Sequence, residues 1–86
     1  MPTHELKTWP EYFYDVEKGV KPFEVRVNDR NFQMGDTLIL KEFDPEREKR
    51  NGNGYTGREL TRIVTYILQG ERIGIKPGYC VMGLKK

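Results

Sequence analysis

The chain has 86 residues, which suits one compact domain and is too short for two. Its 15 basic and 13 acidic side chains give a formal net charge of +2, too small for a protein that binds nucleic acid by charge alone. The sequence has neither an apolar run of about 20 residues nor the apolar core of a signal peptide. We therefore expect a single domain over residues 1–86, monomeric and cytoplasmic, without contact to a membrane.

Several function classes are excluded by missing residues and motifs. The single cysteine, Cys80, excludes an internal disulfide, and with the single histidine, His4, it cannot complete a tetrahedral structural zinc site. Serine does not occur, and neither do a P-loop or a GxGxxG motif. Serine hydrolases, P-loop NTPases and dinucleotide oxidoreductases are therefore excluded, and we expect neither a metal ion nor a cofactor.

The first elements are a short strand and a helix. The loose alternation of HELKTW predicts a strand over residues 4–9. Pro10 suits the first helical turn, because its missing N–H has no acceptor to lose there. Three apolar residues follow helical spacing, i, i+4 and i+7: Trp9, Phe13 and Val16. With Gly19 as the end signal, the pattern predicts a helix over residues 10–18 that buries Trp9 in the core.

A period of two follows, from Pro22 to Asn28, and predicts the second strand. One face of this strand is apolar: Phe23, Val25 and Val27. The other face is polar: Glu24, Arg26 and Asn28. We expect the apolar face to point inward.

TLILKEF, residues 37–43, and RELTRIVTYIL, residues 58–68, predict two strands that pair with each other. Four residues of the second are expected in one register: Leu60, Val64, Tyr66 and Leu68. The intervening residues 44–57 hold six charged residues and three glycines, which predicts a mobile hairpin tip. A solvated loop is the favoured interpretation; the alternative is that three cations contact a polyanion: Arg47, Lys49 and Arg50.

The carboxyl-terminal part predicts one more strand. QGERIGIKPGY, residues 69–79, carries three glycines and a proline, and YCVMGL, residues 79–84, alternates between two faces. Five strands with mainly antiparallel patterning and one early helix predict a mostly β, α+β domain. A small closed or half-open barrel capped by the helix would hide the strand edges within this length.

Lys21, Glu24 and Arg26 concentrate charges of both signs at one end of the second strand. Lys21 precedes Pro22, which favours an extended backbone, and Glu24 and Arg26 share a face. On spacing alone a solvated ion pair, worth roughly 0–1 kcal/mol, is the simpler interpretation. The alternative is a site where the two cations bind phosphate or a base edge and the carboxylate accepts from an amino group.

These residues also carry a family resemblance. GVKPFEVR at 19–26, after the aromatic WPEYFYDVEKG, resembles the G-x-K-x-x-E-x-R motif of the ASCH superfamily, whose fold is the PUA-like β-barrel. The pattern F-x-x-G-D-x-L-x-L-x-E-F at 32–43 and the YTGREL to GYCVMGL frame at 55–84 are similar to a short bacterial and phage branch of that superfamily.

The resemblance implies a five-stranded PUA-like barrel with a cleft beside the helix that binds RNA or a nucleotide. By matching positions, the ligand-binding residues would be Lys21, Glu24 and Arg26, with Trp9 and Tyr12 as stacking aromatics. Some members of the superfamily are amidohydrolases that act on N4-acetylcytidine through a lysine, a threonine and a glutamate. Here Glu24 stands where those enzymes carry the threonine.

Three functions therefore remain open. A non-enzymatic module that binds RNA or a nucleotide is the leading hypothesis. The alternative is a small hydrolase acting on modified nucleosides or RNA, with Lys21 and Glu24 as the catalytic pair. The third is an interaction protein whose partner is another protein.

Overall fold

The fold is one curled five-stranded sheet with two helices, seen in a computed structural model that describes residues 2–70 and 73–86. The elements in chain order are β1 (Thr3–Thr8), α1 (Pro10–Glu17), β2 (Phe23–Val27), β3 (Thr37–Phe43), α2 (Pro45–Asn51), β4 (Tyr55–Gln69) and β5 (Tyr79–Lys85). The strand order in the sheet is β1-β3-β4-β5-β2. The prediction of a mostly β, α+β chain is confirmed. Part of the predicted glycine-rich connection at 69–79 lies outside the described residues, at Glu71 and Arg72.

The sheet is a half-barrel, which agrees with the half-open form of the predicted barrel and excludes the closed form. Strands β1 and β2 stand at the two ends of the strand order, and within the described residues no backbone pairing joins them. The side chains of Arg26 and Arg30 span this gap and donate to the Lys7 and Glu5 carbonyl oxygens of β1. These side-chain contacts satisfy backbone carbonyl groups at the edge of β1 in place of backbone hydrogen bonds from β2. The gap between the two strands therefore stays open.

Pairing within the sheet is antiparallel except between β1 and β3, which are parallel. The chain passes through α1 and β2 before it returns to β3, and this long connection is what a parallel pair requires. The predicted pairing of residues 37–43 with the following strand is confirmed. The predicted alternation of the last strand is also confirmed, since three of its residues face the core: Cys80, Met82 and Leu84.

Helix α1 agrees with its prediction except at Trp9. Phe13 and Val16 are buried, and Gly19 follows the helix with a φ of 80° that favours glycine. Trp9, however, is 50% exposed. It precedes Pro10 at the N-cap position with an extended backbone, so the helical periodicity that predicted its burial does not apply to its side chain.

Helix α2 replaces part of the predicted hairpin tip, and the prediction of one helix is therefore wrong. The Asp44 carboxylate accepts from the Glu46 N–H at 3.0 Å, Pro45 follows at the first helical position, and Gly52 ends the helix with a φ of 81°. These are strong local signals for a short helix. No residue of α2 is buried, which is why the hydrophobic pattern gave no indication of it.

A bulge in β4 changes the predicted register of that strand. The pairing with β5 shifts between Val64 and Tyr66, so Val64 is buried whereas Tyr66 is 60% exposed. Ile67 packs against the core instead. The expectation that Tyr66 shares the register of Val64 is wrong, because one extra residue in a bulge moves the following side chains to opposite faces.

The largest difference between the prediction and the structure concerns β2, which presents its polar face inward. Glu24 pairs in register with Met82 and Arg26 with Cys80, both core positions, and Glu24 is only 3% exposed. The three apolar residues lie on the outer face and are partly exposed: Phe23, Val25 and Val27. The expectation of an inward apolar face is wrong because Glu24 is paired with two cations, described below, that make its burial possible.

No helix within residues 2–70 and 73–86 is long and apolar enough to cross a membrane.

Burial gives a test of the core at Cys80. Desolvation raises the pKa of the Cys80 thiol, and the Asp29 carboxylate adds to the rise. We predict that a thiol reagent such as DTNB modifies the native protein at least ten times more slowly than the protein in denaturant at the same pH. Folding favours the neutral thiol, so the protonated Cys80 thiol contributes to the free energy of unfolding. This contribution is present at pH values below the pKa of the thiol in the unfolded chain, and it is lost as the pH rises through the pKa of the thiol in the folded protein. Equal native and denatured rates would show that Cys80 is accessible.

Candidate functional site

Three charged side chains form a partly buried ion-pair triad. Glu24 accepts from Lys21 Nζ at 3.0 Å through Oε1 and from Arg26 Nε at 2.8 Å through Oε2. The Glu24 side chain is almost fully buried, whereas Lys21 and Arg26 remain partly exposed. The interpretation of a solvated surface pair is therefore wrong for the carboxylate. We call these three residues the triad.

The end of α1 fixes the position of Lys21. The N–H of Gly19 donates to the Val16 carbonyl and the N–H of Lys21 to that of Asp15, which folds the chain back over the last helical turn. The carbonyl oxygen of Pro22 then accepts from the Leu84 N–H of β5, directly before β2 begins. Lys21 Nζ also donates to the Phe23 carbonyl at 3.1 Å. The lysine is thus held between the end of the helix and the edge of the sheet.

Arg26 joins the triad to the opposite edge of the half-barrel. Its Nη2 donates to the Lys7 carbonyl at 2.6 Å and lies 3.3 Å from Thr8 Oγ1. One guanidinium therefore contacts the carboxylate on its own strand and the backbone of β1. These contacts hold the guanidinium in one plane. A guanidinium held in this way can bind a planar or anionic group in a defined orientation.

The triad forms the floor of an open cleft of about 480 Å³, a volume in the usual range for small-molecule sites. The cleft is lined by Lys7, Thr8, Trp9, Tyr12, Lys21, Glu24, Val25 and Arg26. All five residues predicted for the site line this one cleft. The Trp9 and Tyr12 rings are about half exposed, and Lys21 Nζ lies 5.4 Å from the centre of the Tyr12 ring.

The cleft combines hydrogen-bond donors with flat apolar surfaces. Lys21 uses two of its three N–H groups in the contacts above, and Arg26 Nη1 makes no hydrogen bond to a described residue. Each cation therefore retains a donor for a ligand. A ligand with a planar ring and an anionic or acceptor group matches these features.

Three lining residues were not predicted from the sequence: Lys7, Thr8 and Val25. Thr8 follows Leu6 by two residues on the inward face of β1. The alternation of inward and outward side chains along this strand could therefore have predicted that Thr8 points inward. Lys7 takes part through its carbonyl oxygen, for which the sequence holds no signal. Val25 lines the cleft because β2 is an edge strand and its apolar side is not covered.

A second hollow of about 320 Å³ continues along the gap between β1 and β2 and shares Val25 and Arg26 with the cleft. Arg30 lies here and donates to the Glu5 carbonyl at 2.8 Å, with Asp29 beside it. The acidic Asp29 makes this hollow less suited to an anion than the cleft.

His4 is paired elsewhere in the fold. Its Nε2 lies 2.9 Å from Oδ2 of the fully buried Asp36, which also accepts from the Gln33 N–H. The ring packs edge-on against Phe32. In the described ranges no group of three or more His, Cys, Asp or Glu side chains could hold a metal ion. His4 therefore contributes to the packing at the start of β1 and β3.

The triad makes a prediction for stability. Glu24→Gln leaves Lys21 and Arg26 facing a neutral amide, so we expect the free energy of unfolding to fall by about 3 kcal/mol. The control is Glu59→Gln, which removes the same charge from an exposed position on β4. Urea unfolding of both variants measures the difference. Equal effects of the two substitutions would contradict a structural role for the buried carboxylate.

Comparisons with known proteins give one phage relative and one family. The chain is 50% identical over 62 residues to the "Uncharacterized 12.9 kDa protein in GpA 3'region" of Escherichia phage P2. The match covers 72% of this chain and about half the length of that relative. A family profile described as "Domain of unknown function (DUF3850)" matches residues 3–84, nearly the whole chain. The chain therefore belongs to the DUF3850 family.

Proposed function

We propose that this chain is a cytoplasmic, PUA-like module of the ASCH type that binds RNA or a nucleotide in the cleft beside α1. One observation carries the proposal. A buried carboxylate holds two cations on the floor of an open cleft, and two half-exposed aromatic rings stand at its rim. Cations with stacking rings are the combination that binds nucleotides without requiring a strongly basic protein.

The energetic cost of the triad supports a role in binding. Removing charges from water costs several kcal/mol per ion, and well-packed apolar residues in place of a buried ion pair are often neutral or stabilising. The half-barrel therefore gains little stability from Glu24 that an apolar residue could not supply. A site that must hold two cations in fixed positions explains the triad better.

The three side chains have different roles in this proposal. Both Glu24 oxygens accept from cations and the residue is 3% exposed, so its role is to position Lys21 and Arg26. The two cations then donate to phosphate or to acceptors on a base edge. Trp9 and Tyr12 stack on the base, which contributes about 1–3 kcal/mol per base.

The hydrolase alternative has less support. A catalytic Lys21 and Glu24 would have to exchange protons with substrate, yet each is engaged with the other at 3.0 Å and Glu24 is also bound by Arg26. Incubation of the purified protein with acetylated nucleosides and with RNA tests this function. Product that forms with the native protein and not with Glu24→Gln would favour the enzyme over the binding module.

Binding is tested by fluorescence anisotropy with short labelled RNAs at two salt concentrations. We predict that Lys21→Ala with Arg26→Ala weakens binding at least tenfold and reduces the slope of log affinity against log salt by about 1.4. The control is Lys49→Ala with Arg50→Ala, which removes the same charge from the exposed α2.

Two checks make this test decisive. Circular dichroism confirms that the cleft variant is folded, and Trp9→Ala, at a half-exposed position, should weaken binding without removing a charge. Unchanged affinity in the folded cleft variant would overturn the proposal. If the α2 control loses affinity instead, the contact with the polyanion lies on α2, at Arg47, Lys49 and Arg50.

A further inference from the structure

The outer face of the sheet carries a slot between two exposed aromatic rings. Gly83 of β5 pairs with Phe23 of β2 on one side and with Tyr66 of β4 on the other. Phe23 is 39% exposed and Tyr66 60% exposed. Because the residue between the rings is glycine, this position carries no side chain of its own, and the side-chain atom nearest to its Cβ position is Thr65 Oγ1. We call Phe23, Gly83 and Tyr66 the aromatic slot.

The spacing of the strands that carry the two rings leaves room for one planar ring between them. The two aromatic residues stand two strand spacings apart, which is about 9.5 Å. A flat ring midway would lie about 5 Å from each neighbour, within the range of about 4.5–7 Å that aromatic pairs adopt. The bulge in β4 supplies a polar group at the base of this space. A Cβ on Gly83 would lie 2.6 Å from Thr65 Oγ1, so glycine is required there and the hydroxyl sits at the floor.

Two lysines lie at one end of the slot, and one of them connects it to the cleft. Lys21 Nζ lies 5.2 Å from the centre of the Phe23 ring and 5.4 Å from that of the Tyr12 ring, so it stands between the slot and the cleft. Lys85 follows Gly83 by two residues on the same face of β5 and is exposed, and the antiparallel register places it at the same end of the slot as Lys21. A polyanion that carries flat bases meets both lysines along this path.

We propose that a single-stranded RNA bound in the cleft continues over Phe23 and places a neighbouring base between Phe23 and Tyr66. The inference rests on the proposed function of the cleft and extends it from a nucleotide to a strand. Sheet faces with exposed aromatic side chains are a recurrent platform for unpaired bases. Thr65 Oγ1 donates to or accepts from the base edge, and Lys21 and Lys85 lie near the phosphates.

The test compares a uridine mononucleotide with an oligouridine of eight nucleotides on the full chain. We expect Tyr66→Ala to weaken binding of the octamer by about fivefold to a hundredfold and to leave the mononucleotide unchanged. Tyr66→Phe should retain octamer binding, because the ring is kept. The matched control is Tyr14→Ala, a similarly exposed tyrosine on α1, which should have no effect.

The outcomes separate this inference from the proposed function. If Tyr66→Ala binds the octamer like the native protein while the Lys21→Ala, Arg26→Ala variant does not, the slot inference is overturned and the cleft stands. If neither probe binds the native protein, both are overturned. If sedimentation shows a dimer that Tyr66→Ala dissociates, with octamer affinity unchanged, the face is an interface between two copies and the inference is wrong.

Discussion

The buried carboxylate of Glu24, held between Lys21 and Arg26, is the interaction on which the rest of the site depends. It turns the polar face of β2 toward the concave side of the sheet and leaves the apolar face outside. It also fixes the two cations at the floor of the cleft, one at the end of α1 and the other across the gap to β1. Loss of a partner from a pair of this kind is costly, because an unpaired charge would remain in a poorly solvated site.

The open edge of the half-barrel follows from the same constraint. A ladder between β1 and β2 would close the sheet, but the guanidinium groups of Arg26 and Arg30 occupy the edge carbonyls of β1 instead. The gap that results holds the cleft and the second hollow. The apolar face of β2 is then partly exposed on the outer side, where Phe23 stands across Gly83 from Tyr66. Cleft and outer face are thus two consequences of one paired charge.

Much of this fold could be predicted from local patterns. The strands at 37–43 and 79–84 and the helix from Pro10 follow from periodicity and helix signals, and the five proposed ligand-binding residues do line one cleft. The direction in which β2 faces could not be predicted, since alternation shows which side chains share a face and not which face is inward. That choice depends on tertiary pairing of Glu24. The bulge before Tyr66 depends likewise on the partner strand, and α2 buries nothing that a hydrophobic pattern could reveal.

The most direct measurement of the central claim is an NMR titration of ¹⁵N-labelled protein with a uridine nucleotide, following the Arg26 Nε–H and the indole N–H of Trp9. Trp9 is the single tryptophan of the chain, so its signal is unambiguous. We predict that both signals shift together and saturate at the same ligand concentration, because one ligand contacts the triad and stacks at the rim of the cleft. Shifts confined to α2, or no shift at either group, would contradict a binding site at Lys21, Glu24 and Arg26.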